Sequence, residues 1–311
     1  MRAGRVETLR KAPFEHLMVH AHEGHTRATM KIQEGCDRWC TYCIIPSVRG
    51  PIRSRPVDEI AAEAQSLAEA GFKEVVLTGI HLTSYGRDVK DGTTLLDAIR
   101  AAHDVPGIAR VRLGSLEPVV VTPEFVEGIK ALPKVCHQFH LALQSGSDTV
   151  LARMHRRYTS GEFLTACAMR ARRLRIVATT DVMTGFPAKR RKSCTDEGHL
   201  HQSRFARMHV FPYSEREGTK AALMPDSVPR HPRRTCPRID RAGQNTRKNA
   251  LAARIGKEEE VLVEEIDEQG NGVGYTGGYM RVCVKDGKPG EIVRVRITGA
   301  DDEELTGEME K

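Results

Sequence analysis

Several features common in proteins of this size are missing from the sequence, and each absence narrows what the chain can be. No apolar run approaches the ~20 residues that a membrane-spanning helix needs. The amino terminus, Met1-Arg-Ala-Gly-Arg-Val-Glu7, lacks the apolar stretch of a signal peptide. Both absences point to a cytoplasmic protein with no membrane partner, where eight cysteines serve as thiols or metal ligands and not as disulfides. No cysteine precedes Cys36, and nowhere do two C-x2-C pairs come together, which argues against a closed four-ligand zinc site. A strong charge of one sign is missing too. The 48 Lys+Arg against 41 Asp+Glu leave a net +7, compatible with a polyanion such as RNA but not diagnostic of one.

What is present centres on Lys31-Ile-Gln-Glu-Gly-Cys36-Asp-Arg-Trp-Cys40-Thr-Tyr-Cys43-Ile-Ile-Pro46, where three cysteines fall within eight residues as C-x3-C-x2-C. Thiolates this close converge on one centre only if the backbone turns sharply, and Gly35 permits that turn. Three sulfurs without a fourth suit an iron–sulfur cluster that keeps one iron open.

The alternating Ala28 to Glu34 reads as a strand that delivers this loop. Arg49-Gly-Pro-Ile-Arg-Ser-Arg-Pro56 reads as a basic turn, whose three arginines suit phosphates, a carboxylate or plain solvent. Pro56 then opens a helix with Ile60, Ala64 and Leu67 on one face and Gly71 at its end. Strands at Lys73 to Gly79, Ala109 to Ser115, His137 to Leu143, Ile176 to Gly185 and Ala206 to Tyr213 alternate with helices at Thr94 to His103, Pro123 to Leu132, Asp148 to Met154 and Ser160 to Leu174. With the first strand these make six β units, which predict an α/β fold with a parallel sheet, open or curled into a partial (β/α)6 barrel. Each strand ends in a polar or glycine-bearing stretch, where barrels of this kind collect their chemistry.

From about Lys257 the pattern changes to period-two strands: Glu260 to Ile266, Met280 to Lys285 and Glu291 to Thr298, separated by glycine-rich turns. This predicts a small all-β barrel, with Cys283 as a core thiol and with Arg294 and Arg296 on one strand face as candidate phosphate contacts. The expected organisation is a linker at 1–27, whose close histidines (His16, His20, His22, His25) read as solvated, then a core at 28–230. A connecting segment at 231–256 and the small barrel at 257–311 follow.

The cysteine spacing is the signature of the radical S-adenosylmethionine enzymes, which the chain resembles. Arg112-Leu-Gly-Ser-Leu-Glu-Pro118, His140-Leu-Ala-Leu-Gln-Ser-Gly-Ser-Asp148, Thr180-Asp-Val-Met-Thr-Gly-Phe-Pro187 and Phe211-Pro-Tyr-Ser-Glu-Arg-Glu-Gly-Thr219 are similar to the methylthiotransferase branch of that superfamily. The carboxyl-terminal barrel resembles its RNA-binding TRAM domain. Leu77-Thr-Gly-Ile-His-Leu-Thr-Ser-Tyr-Gly86 looks most like the enzymes that methylthiolate threonylcarbamoyladenosine at position 37 of transfer RNA. Those acting on isopentenyladenosine-37 or on a ribosomal protein aspartate usually differ where Ile80 and His81 stand.

The resemblance implies a [4Fe–4S] cluster on Cys36, Cys40 and Cys43, with S-adenosylmethionine chelated at the open iron. It implies approach to that cofactor by Gly79, Glu117, Gln144, Ser145 and Gly185, with Arg156 a candidate for its carboxylate. It also implies transfer RNA as partner and an electron donor such as flavodoxin or ferredoxin.

The sequence departs from the family in three places. The second, sulfur-supplying cluster expected for the family has no ligand set here. Cys136, Cys167, Cys194, Cys236 and Cys283 are scattered, which predicts a truncated chain that cannot insert sulfur alone. Ala188 to Arg204 is basic, without an apolar period, and reads as out-of-frame sequence or a basic loop. Pro229 to Gln244, rich in proline and arginine, reads as a place where an expected helix is lost, at a cost to stability. Two further readings stay open: a radical enzyme that needs only one cluster, and a non-catalytic RNA-binding remnant.

Overall fold

The computed structural model describes residues 14, 24–173, 177–187, 205–225 and 237–310. The expectations for 188–204, for 229–236, for Cys194 and Cys236, and for His16, His20 and His22 lie outside these residues.

The core begins with strand β1 (Arg27–Glu34), which runs into the cysteine loop, a short helix α1 (Ile45–Arg49) and a two-residue strand β2 (Arg53–Ser54). Helix α2 (Val57–Glu69) buries Ile60, Ala64 and Leu67, the predicted face, and carries Asp58 and Glu59 in its first turn. Pro56 is its N-cap and not its first helical residue. Strand β3 (Glu74–Gly79) lies parallel to β1, and helix α3 (Leu95–His103) starts from a capping box of Thr94 and Asp97.

The predicted strand at 109–115 divides at Gly114 into β4 (Arg110–Leu113) and β5 (Ser115–Leu116). β4 ends one four-stranded sheet, ordered β2-β1-β3-β4, and β5 starts the next. Helix α4 (Pro123–Lys130), β6 (Gln138–Leu141), α5 (Asp148–Arg153), α6 (Ser160–Arg173), β7 (Val177–Thr184) and β8 (Arg207–Pro212) complete the core. The second sheet runs β5-β6-β7-β8, all parallel. Because β4 and β5 are one chain path with a single glycine between them, the two sheets form one curved wall: a partial (β/α)6 barrel.

Strand alternation decides which side chains go where. Ala28, Met30, Ile32, Val75, Leu77, Val111, Phe139, Leu141, Ala178 and Val182 point outward into the apolar layer beneath the helices. Their neighbours on the concave side are polar: Arg112, Gln138, His140, Thr179 and Asp181 are joined to one another there by hydrogen bonds and ion pairs.

Helix α7 (Pro237–Ala252) corrects the sequence reading of 229–244, because residues 237–244 are helical. Proline at the first helical position gives up an N–H that has no intrahelical acceptor anyway. The closed barrel follows, with strands β9 (Glu258–Ile266), β10 (Gly272–Thr276), β11 (Arg281–Val284), β12 (Ile292–Ala300) and β13 (Leu305–Met309) in the order β10-β11-β13-β12-β9. Its core is Val261, Met280, Val282, Val284, Val295, Ile297 and Leu305. Cys283 is half-buried on the other face of β11, with its Sγ 3.8 Å from Asp267 Oδ2, and is not the core thiol expected. Arg55, read as part of a basic turn, is buried and ion-paired with the equally buried Glu63.

The small barrel closes the amino-terminal end of the core strands through arginines. Arg27 Nε lies 2.6 Å from Glu264 Oε1, and Arg110 donates to the carbonyls of Glu260 (2.6 Å) and Tyr275 (3.1 Å). Arg112 bonds Glu74 at 2.6 Å and the carbonyls of Thr276 and Gly277 at 3.3 Å, with Tyr279 beneath its guanidinium. Among the described residues, these contacts fall on β1, β3 and β4 and not on the cysteine loop at their carboxyl-terminal ends.

Candidate cofactor site

At the carboxyl end of β1 the chain turns at Gly35 with φ +70°. A Cβ there would lie 1.7 Å from the Pro51 carbonyl oxygen, so only glycine fits. The next residue, Cys36, donates its N–H to Gly50 O at 3.1 Å. Cys43 N–H bonds Cys40 O at 3.0 Å, and the loop is tied to the end of α5 by Thr41, whose N–H and hydroxyl reach Met154 O (3.1 Å) and Arg153 O (2.8 Å). The three cysteines thus share one anchored loop.

Among the described residues, no three His, Cys, Asp or Glu side chains converge as ligands of a single metal ion. A cluster would make a different demand, because three thiolates would bind three separate irons and leave the fourth open. Burial pushes the Cys36 thiol up to about 11 and raises that of Cys43. Such thiols ionise when a cationic centre arrives to offset the charge.

Glu117 follows β5 and is buried beside this loop. Three elements converge on its carboxylate. Arg156, just past α5, places Nη2 3.0 Å from Oε1; Arg38 Nη2 from the cysteine loop and His81 Nε2 from the end of β3 both lie 3.1 Å from Oε2. Burial works against ionisation of Glu117, but His81, Arg156 and Arg38 together outweigh it and hold the carboxyl at about 2. Arg156 also donates Nη1 to Cys40 Sγ at 3.5 Å and Nε to the Tyr158 hydroxyl at 3.0 Å, so it stands between the thiol and the carboxylate. His81 is fixed from two sides: its N–H bonds Gln33 Oε1 at 2.6 Å, and its Nδ1 lies 2.7 Å from Ser84 Oγ.

The remaining expected residues ring the same strand ends. Gly79 faces Gln33 so closely that a Cβ would lie 2.7 Å from the Gln33 Cβ. Gln144 has φ +65°, and its main chain bridges Asp181 O and Met183 N–H, both at 2.8 Å. Its buried Oε1 has no hydrogen-bond partner among the described residues. Ser145 Oγ accepts the Ser147 N–H at 3.2 Å. A Cβ on Gly185, at φ +71°, would meet nothing within 4 Å. These groups fit an S-adenosylmethionine-bearing cluster: three thiols on one loop, a guanidinium beside them and an unused buried acceptor.

Arg38, His81 and Tyr158 were not singled out for this role from the sequence. Arg38 carried a usable signal, since it lies between the first two cysteines. Arg294 and Arg296 sit far away on β12 and are exposed. Arg296 Nη2 is taken up by Glu258 and Glu310, each at 2.9 Å.

Comparison with known proteins adds to this geometry. Residues 30–192 match the Radical SAM superfamily and residues 252–309 match the TRAM domain. A threonylcarbamoyladenosine tRNA methylthiotransferase of Bacillus subtilis is 38% identical over 92% of this chain and 66% of its own length. One of the same name from Rickettsia prowazekii is 35% identical, over 92% of this chain and 68% of its own. A tRNA-2-methylthio-N(6)-dimethylallyladenosine synthase of Symbiobacterium thermophilum is 37% identical over 95% of this chain and 66% of its own length. The chain therefore spans slightly less than two thirds of the Bacillus and Symbiobacterium relatives. Among solved structures, methylornithine synthase superposes with a TM-score of 0.50 at 11% identity, covering 71% of this chain and 62% of that one, a likeness of fold alone.

Proposed function

This chain belongs to the methylthiotransferase branch of the radical SAM superfamily, and on that footing we propose that it modifies transfer RNA. Its cofactors are a [4Fe–4S] cluster and S-adenosylmethionine, which supply the radical chemistry, while the protein supplies position and electrostatics. Cys36, Cys40 and Cys43 would hold the cluster. Arg156, beside Cys40 and paired with Glu117, would bind the carboxylate of S-adenosylmethionine. Gln144 Oε1, buried without a partner among the described residues, would accept from its ammonium group. Glu117 keeps Arg38 and Arg156 aimed at the loop before the cofactor arrives.

The substrate we propose is N6-threonylcarbamoyladenosine at position 37, methylthiolated at C2. Supporting this reading are Ile80 and His81 at the end of β3 and the names of the Bacillus and Rickettsia relatives. The single observation that carries the cofactor reading on which this substrate depends is the convergence of the cysteine loop and Arg156 on Glu117. The 37% identical dimethylallyladenosine synthase keeps isopentenyladenosine as the second reading. Mass spectrometry of nucleosides from transfer RNA, in cells with and without the gene, separates the two. Loss of the 2-methylthio form of threonylcarbamoyladenosine, with the unmodified nucleoside accumulating, is expected. An unchanged profile, or loss confined to the isopentenyl nucleoside, contradicts the proposed substrate.

A further inference from the structure

The concave wall carries a second group of side chains that the cofactor site does not use. Phe139, Leu141, Ala178 and Val182 of β6 and β7 are buried under the helices, and Met208 and Val210 of β8 pack on the same layer. Alternation sends their neighbours His140, Asp181, His209 and Phe211 to the opposite, concave face. The register agrees, pairing Asp181 with His209 and Met183 with Phe211.

On that face the Asp181 carboxylate lies 3.3 Å from His140 Nε2 and 3.4 Å from His209 Nδ1. His140 Nδ1 is 3.1 Å from Thr179 Oγ1, which also accepts from Gln138 Nε2 at 2.8 Å. His140 and Asp181 are thus held in place from behind. His209 is not covered: its side chain is 72% exposed, and its ring lies 5.2 Å from that of Phe211 at an angle of 35°. Phe211 and Tyr42 of the cysteine loop pack against the same apolar group, which includes Met183 and Phe186. An exposed imidazole backed by a half-buried phenyl ring therefore stands on the concave wall near the cysteine loop, with a carboxylate beside one ring nitrogen.

Flat aromatic faces combined with one oriented ring nitrogen are the chemistry that holds an unpaired nucleobase. We propose that His209, backed by Phe211 and oriented by Asp181, is the seat on which an unpaired purine of the RNA stacks beside the cofactor. This inference rests on the RNA reading above. Asp181 and His140 act here as positioning residues, and His209 is the contact.

The test is a titration of the full chain against an RNA hairpin that carries 2-aminopurine as an unpaired loop base. The wild type is expected to quench the probe as it binds. His209→Ala is expected to lose most of the quench and to bind about tenfold more weakly. His209→Phe, which keeps a flat aromatic face, is expected to retain the quench. Circular dichroism of both variants controls for folding, which the exposure of His209 favours. If His209→Ala quenches like the wild type, if His209→Phe fails as badly as alanine, or if the wild type binds without quenching, the seat is overturned while RNA binding stands. A wild type that does not bind the hairpin overturns both the seat and the RNA reading.

Discussion

Glu117 shows why the candidate site was only partly legible in the sequence. The three cysteines are local: their spacing alone puts them on one turn. Glu117, Arg38, His81 and Arg156 come from four separate places, and only strand register brings them within 3.1 Å of one carboxylate. No period or spacing encodes that meeting. The carboxyl also makes a prediction. An unfolded glutamate titrates near about 4.3, whereas Glu117 in the folded chain is held at about 2. A depressed folded value stabilises the protein above the unfolded value, and this stability is lost as pH falls through the folded one. Without cofactors, wild type should exceed Glu117→Gln by about 3 kcal/mol near neutral pH, with the difference closing between about pH 4.3 and pH 2. Urea unfolding at several pH values checks it; a gap that stays constant with pH contradicts the assignment.

At the scale of elements, the helices were the most legible, because their apolar residues recur with a period that needs no partner. Helix α2 buries Ile60, Ala64 and Leu67 as the spacing requires. Two strands of the small barrel escaped. β10 reads Gly-Val-Gly-Tyr-Thr, which resembles a turn, yet Gly274 is there because a Cβ would lie 2.0 Å from the Leu262 carbonyl oxygen on the neighbouring strand. Close approach, not a turn, explains that glycine. Helix α7 escaped for the opposite reason, as its opening proline was read as a breaker. The seam between the half-barrel and the small barrel was invisible in the sequence, because Arg27, Arg110 and Arg112 look like strand surface until β10 and β9 cover them. Replacing Arg112 by leucine leaves the buried Glu74 without its closest partner, at 2.6 Å, and breaks two contacts to β10 and its turn. The expected cost is about 3 to 5 kcal/mol, read as a lower urea midpoint. A loss below about 1 kcal/mol, the range of exposed ion pairs, would mean that the seam is not a structural joint.

At the scale of the whole molecule, the two domains divide the work by which end of the strands they occupy. The small barrel sits at the amino-terminal end, where its arginine seam falls on β1, β3 and β4, and the cysteine loop and Glu117 lie at the carboxyl ends. Cys136 is buried just before β6, Cys167 is buried in α6, Cys283 lies in the small barrel, and none is part of the cysteine loop. Among the described residues, then, one loop carries three cysteines together. The central claim is that these three, Cys36, Cys40 and Cys43, hold the cluster. Iron and acid-labile sulfide, counted on the anaerobically reconstituted full chain beside its Cys36→Ala variant, test the claim most directly. The account predicts about four of each per wild-type chain and a loss of most of both in the variant. Iron retained by Cys36→Ala, or a wild-type count near about eight, the content of two such clusters, would contradict it.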